Sequence, residues 1–263
     1  MKITEIPEDE LLIKSFDNQN KKDSSLHPNL LQHPFSLLLC APKNSGKTNL
    51  LLRLLLGNRK PKGAQNDYHK FYKHYFDKVY IFSPTWNNDE KTQKTGIPQE
   101  QVYEEPELYH KILHEILLGQ DEEIEEEGKE NADKILLVMD DLAGQKGVFS
   151  GAKGIMNRLA FNHRHANASI IITSQGLRQI NSAFRDNFSA VIFFSGISNR
   201  LELNKIYEEY LGDFTKDEAN ELLEYIFDGR YNFLFINFQK GKESRYFKNF
   251  NQLKLIKNND RLV

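Results

Sequence analysis

The chain is 263 residues long, 27% charged and 39% hydrophobic, the balance of an ordinary soluble protein with enough apolar material for one α/β domain. No apolar run approaches the roughly 20 residues that span a bilayer, no signal peptide opens the sequence, and the lone cysteine, Cys40, excludes an internal disulfide and suits a reducing compartment. The net charge of −2 argues against a nucleic-acid partner only until the acids are located: residues 121–130, DEEIEEEGKE, hold seven acids and one lysine, so the rest of the chain is basic on balance.

In chain order, residues 1–34 are polar, with Lys, Asn, Asp and Ser dense between Lys14 and Ser25, and are expected to form an N-terminal arm outside the core that could lie on a neighbouring subunit. Residues 35–263 are expected to form the domain. It begins with FSLLLCAPKNSGKTNLLL, an apolar strand running into a loop and a helix start. Ala41, Gly46, Lys47 and Thr48 have the spacing of a Walker A loop, and Ala41, Pro42, Lys43, Asn44, Ser45, Gly46, Lys47, Thr48 and Asn49 are the predicted nucleotide-binding residues. A triphosphate must be wrapped by successive backbone N–H groups, and Gly46 can take the tight conformation this needs. Lys47 brings a cation to the β/γ-phosphates, Thr48 a hydroxyl to Mg²⁺, and the helix start adds its dipole and unpaired N–H groups. ATP and Mg²⁺ are the cofactors predicted.

Residues 58–65 read as a loop, after which Tyr68, Phe71, Tyr72, Tyr75 and Phe76 recur at helical spacing, as a buried face would. Lys78–Ser83 is a second strand, stopped by Pro84, and Pro106–Leu118 a helix. His110 and His114 stand four apart on that helix, but no third metal ligand is suggested nearby. The acid run that follows is expected to be a solvated surface loop.

Lys134–Asp141, KILLVMDD, is the second informative stretch: five apolar residues make a strand buried on both faces, and two carboxylates stand at its end, where open parallel sheets place ligands. Asp140 fits a Walker B acid holding Mg²⁺, and Asp141 is placed to polarise the attacking water. Residues 142–154 hold four glycines and two lysines and are expected to be a mobile loop; Ile155–His165 is a helix. Ser169–Thr173 is another buried strand and leads into Ser174 and Gln175, which brings an amide to the expected γ-phosphate position. Val191–Phe194, helices over Asn199–Tyr210 and Lys216–Phe227, a strand over Tyr231–Phe238 and an edge hairpin through Lys248 complete the sheet, ahead of a tail with seven Lys or Arg against two acids from Lys240 onward.

The order of phosphate loop, strand ending in paired acids, helix, and strand ending in Gln resembles the additional-strand class of P-loop ATPases, with the FtsK–HerA superfamily the best match. Within it, the short single-domain form, the doubled acid and the segment NHRHANASIIITSQ are most similar to the poxvirus-type DNA-packaging ATPases of large DNA viruses. The likeness covers roughly Phe35 to Phe238. It implies an α/β fold with a mostly parallel sheet, flanking helices and a C-terminal edge hairpin. It makes Lys47 and Thr48 the phosphate and Mg²⁺ contacts, Asp140 the Walker B acid and Gln175 the γ-phosphate sensor. It nominates Arg164 as an arginine finger acting on the next subunit, and hence a homo-oligomeric ring, a hexamer or pentamer. It puts Arg178 and Arg200 where such translocases carry DNA-contacting basic residues. Two departures stand out: Ala41 replaces the leading Gly, and Asp141 stands where many relatives have Glu.

The function implied is ATP-driven translocation of double-stranded DNA into a capsid, with capsid or membrane proteins of the virion as partners, in the host cytoplasm or virus factory and not in a secreted form. The rivals are a cellular or plasmid-borne translocase of the same superfamily, a small-molecule kinase on a P-loop fold, for which no Arg-rich lid is visible, and a nucleotide-gated scaffold without turnover.

Overall fold

The computed structural model of the chain describes residues 23–57, 71–88, 90–93, 95–142 and 155–255. Among these residues nine strands, β1 (Ser36–Cys40), β2 (Lys78–Phe82), β3 (Val102–Tyr103), β4 (Ile135–Met139), β5 (Ala168–Ser174), β6 (Ala190–Phe194), β7 (Phe233–Asn237), β8 (Tyr246–Lys248) and β9 (Asn251–Gln252), form one sheet in the order β3-β2-β4-β5-β1-β6-β7-β8-β9. From β3 to β6 the neighbours run parallel, and from β6 to β9 antiparallel. The four central strands β4, β5, β1 and β6 are buried along their whole length, as their largely apolar sequences, interrupted by hydroxyls only in β1 and β5, require of strands covered on both faces. β5 lies between β1 and β4, with Cys40 level with Ser174 and Met139 level with Ile172, so the three strands finish together at one end of the sheet.

Among the described residues seven α-helices flank the sheet: α1 (Lys47–Leu56), α2 (Glu90–Gln93), α3 (Tyr109–Glu127), α4 (Ile155–Asn162), α5 (Ser182–Arg185), α6 (Arg200–Tyr210) and α7 (Lys216–Ile226). Side chains alternate between the faces, so β1 sends Leu38 and Cys40 into a core shared with α3 to α7, and Leu37 and Leu39 into a second core shared with α1. Cys40 is free and buried, and burial pushes its thiol up to about 12.

Three expectations change on contact with the structure. Leu26, Leu30 and Leu31, inside the stretch expected to be an arm, are buried in the second core, where the Leu31 N–H donates to the Tyr72 hydroxyl at 2.9 Å and that hydroxyl donates to the Leu31 carbonyl at 3.1 Å. The aromatic stretch supplies the rest of that cover, but residues 71–75 are a turn rather than a helix: Phe71 and His74 have φ of 48° and 58°, which an α-helix cannot accommodate. Its rings pack by geometry instead of periodicity, with Tyr72 5.2 Å from Phe35 and 5.8 Å from Phe76. The acid run is no loop as far as Glu127. It is the last two turns of α3, because Glu favours helix and the first breaker is Gly128, which ends the helix with φ 82°. Residues 1–22, the loop at 58–65, Tyr68, the glycine-rich loop at 143–154 and the tail from 256 lie outside the described residues.

Candidate active site

β1 delivers the chain to the phosphate loop with its start tied down, since the Ala41 N–H donates to the Ser174 carbonyl at the tip of β5 at 3.0 Å. Asn44 (φ 61°) and Gly46 (φ 100°) are both left-handed, and a Cβ on Gly46 would also meet the Tyr231 ring at 3.4 Å; glycine serves both demands there. Gly46 caps α1 without any side-chain bond, and the first turn of α1 carries no acid, so no carboxylate of the helix competes for its N–H groups and positive dipole end. Lys47 Nζ reaches back to donate to the Ala41 carbonyl at 2.5 Å. Burial pulls the Lys47 ammonium below its ordinary pKa, and the nearby Asp141 and Asp140 act against that fall.

The acids follow from the next strand but one. The Asp140 N–H donates to the Phe82 carbonyl at 2.9 Å, and its carboxylate accepts from Thr173 Oγ1 at 2.7 Å and Ser83 Oγ at 3.4 Å. Burial raises the Asp140 pKa above its ordinary value, the Thr173 bond opposes the rise, and the charge on Asp141 adds to it. Asp141 is itself left-handed (φ 54°), its N–H donating to Thr173 Oγ1 at 3.0 Å while its Oδ1 accepts from Gln175 Nε2 at 3.0 Å. Thr173 therefore takes a proton contact from one acid's backbone and gives one to the other's side chain, which fixes the direction of the chain of bonds.

Lys47, Thr48, both acids, Thr173 and Gln175 line one cleft of about 930 Å³, together with loop residues 42–46 and Asn49. Ala41 lies just behind it, fully buried. The Thr48 hydroxyl and the Asp140 carboxylate are hard oxygen donors of the kind Mg²⁺ takes, and a cation beside Asp140 would offset the cost of its buried charge; these residues fit the metal.

Other predicted residues stand elsewhere. Arg164 is exposed, between α4 and β5, at the opposite end of the sheet from the cleft. Arg178 lies in the turn after β5 and Arg200 opens α6; both are exposed and neither lines the cleft. Glu202 joins their two segments, accepting from the Leu177 N–H at 2.8 Å and the Arg178 N–H at 3.4 Å.

Sequence reasoning passed over Ser83, Thr173, Arg230 and Tyr231. Thr173 had a legible signal: a hydroxyl inside a fully buried strand needs a partner, and the partner was to be sought level with it on β4. Ser83 gave the same signal at the end of β2. Arg230 and Tyr231 also line the cleft, and they reach it because β7 runs antiparallel to β6, so that its start lies where β6 ends.

A family model described as Poxvirus A32 protein matches residues 24–209. No curated protein matches the chain. Among solved structures, the genome packaging NTPase B204 from Sulfolobus turreted icosahedral virus 2 in complex with AMPPCP is 14% identical, with a TM-score of 0.53 over 80% of this chain and 95% of that one. The pCW3 conjugation coupling protein TcpA with ATPgS is 15% identical, with a TM-score of 0.52 over 84% of this chain and 61% of that one. EssC (ATPases 2 and 3) from Geobacillus thermodenitrificans is 13% identical, with a TM-score of 0.53 over 83% and 39%. At these identities the likeness is one of fold: a mostly parallel sheet with flanking helices, as in P-loop ATPases of the FtsK–HerA type.

Proposed function

This chain belongs to the Poxvirus A32 protein family, and from that premise we propose that it is a viral genome-packaging ATPase that hydrolyses ATP to move double-stranded DNA. One observation carries the reading: the lysine of the loop, the two acids at the tip of β4 and the amide at the tip of β5 meet in one cleft. The names of the fold neighbours, a genome packaging NTPase among them, support it.

In this proposal the loop N–H groups, the α1 N-terminus and Lys47 hold the triphosphate, and Thr48 and Asp140 hold Mg²⁺. Bound there, Mg²⁺ would neutralise charge on the phosphate oxygens. Asp141 orients a water and takes its proton as the water's oxygen bonds to the γ-phosphorus, while ADP leaves with the electrons of the broken P–O bond. Gln175, bonded to Asp141 at 3.0 Å, is positioned to report whether the γ-phosphate is in place. Arg164 would act on the cleft of the next subunit of a hexameric or pentameric ring, where a finger contributes about 10³–10⁵ in rate. Arg178 and Arg200, held to one another's segments by Glu202, would follow DNA phosphates. Capsid or virion membrane proteins are the assembly partners proposed, in the host cytoplasm or virus factory.

The test is ATP hydrolysis with and without double-stranded DNA, in wild type, Lys47→Ala, Arg164→Ala and a mixture of the two variants. Mixed subunits that regain turnover support action between neighbours. A mixture that stays inactive in an oligomer shown to exchange subunits rejects it, and turnover indifferent to DNA rejects the translocase.

A further inference from the structure

The cleft has a second end that the phosphate chemistry leaves unexplained. Beyond Gly46 it is walled by Phe194 from the tip of β6, Phe233 from the start of β7, and Arg230 and Tyr231 just ahead of β7. Phe194 and Phe233 pack together at 5.2 Å and form an apolar floor. Tyr231 differs from them: it is 59% exposed, so the core does not need its ring, yet the ring lies against the phosphate loop, 3.4 Å from where a Cβ of Gly46 would stand. The Arg230 guanidinium is 5.3 Å from the centre of that ring. A flat ring beside a planar cation, half in water at the lip of a cleft, is the surface onto which a heterocyclic base stacks.

We infer that Tyr231, backed by Arg230, is the stacking platform for the base of the bound nucleotide. This deepens the nucleotide-site reading and rests on it. The placement is consistent with the polarity of the cleft. The triphosphate is fixed by the loop and faces Asp140, Asp141 and Gln175 on one side, so the ribose and base must leave toward the other, where the aromatic wall stands. Stacking recognises ring area more than edge pattern, so a purine gains most from it.

The experiment is calorimetric titration of the full chain with ATP and, separately, with inorganic tripolyphosphate, in wild type, Tyr231→Ala and Tyr231→Phe. Tyr231→Ala is expected to weaken ATP by about tenfold to a hundredfold and to leave tripolyphosphate within about twofold, while Tyr231→Phe holds ATP within about threefold of wild type. ATP affinity unmoved by Tyr231→Ala would overturn the inference. So would an equal loss for both ligands, since Tyr231 would then merely prop the loop at Gly46. Wild-type protein that bound neither ligand would overturn the nucleotide site itself, an outcome separated from the others at the first titration.

Discussion

At the cleft end of the sheet, polar groups hold one another: Lys47 bonds to Ala41, Thr173 to Asp140, Asp141 to Thr173, and Gln175 to Asp141. At the opposite end, between α4 and β5, Arg164 and His165 stand exposed, and the buried Nε2 of His163 has no hydrogen-bond partner among the described residues. The first end is organised within one chain, which is what a site with preset electrostatics needs. The second offers its charge outward, to solvent or to another molecule. A residue of the first kind is identified by what it touches, and one of the second only by experiment on the assembly.

That contrast breaks most sharply under two substitutions. Lys47→Ala, at the organised end, is expected to abolish measurable ATP binding together with turnover. Arg164→Ala, at the outward end, should lower turnover by about 10³ or more while leaving ATP affinity within about threefold. Equal losses of affinity in both variants, measured by titration, would erase the distinction between the two ends.

Asp140→Asn sharpens the contrast through stability. The folded pKa of Asp140 lies above its ordinary value of 3.8, chiefly from burial, so around that range the native state holds more protons than the unfolded one. Stability therefore falls as pH rises through the window, and the ionised carboxylate is a cost at neutral pH. The amide variant keeps an acceptor for Thr173 without the charge, so its Tm should rise by about 1–3 °C while turnover collapses. A lower Tm would show that the carboxylate is net stabilising where it stands.

The smallest effect belongs to the other end. Burial pushes His163 and His33 down to about 4 from 6.5, so between those values the unfolded chain binds protons that the native one refuses. Stability should fall as pH drops through that window. His163→Gln should flatten part of the slope in thermal melts between about pH 6.5 and 4; an unchanged slope would assign the effect to His33 or to neither.

Sequence legibility divides along related lines. The meeting of Lys47, Asp140 and Gln175 in one cleft was legible because each lies beyond the end of a largely apolar strand, and parallel strands buried on both faces finish on one side of a sheet. The order of the strands then supplied the meeting point. Leu26, Leu30 and Leu31 were not readable, since polar neighbours dominate their stretch and their burial depends on Tyr72, which comes from a turn far along the chain. The acid run is not legible as helix from its charge, because dense charge is common to solvated loops and solvated helix faces alike, and Glu on the solvated side of α3 simply extends the helix. Tyr231 could not be placed without knowing that β7 runs against β6.

The left-handed backbone at Asp141 bears on which acid the position accepts. At φ 54° a short side chain that bonds to nearby groups is tolerated, and Asp and Asn are the residues that do so most readily after glycine. Glu would carry its carboxylate one carbon farther from a main chain it fits less well, losing reach to the Gln175 amide. The choice of the smaller acid is thus written into the curvature of the chain at the end of β4, and swapping the two acids here would be a change of geometry before it was a change of chemistry.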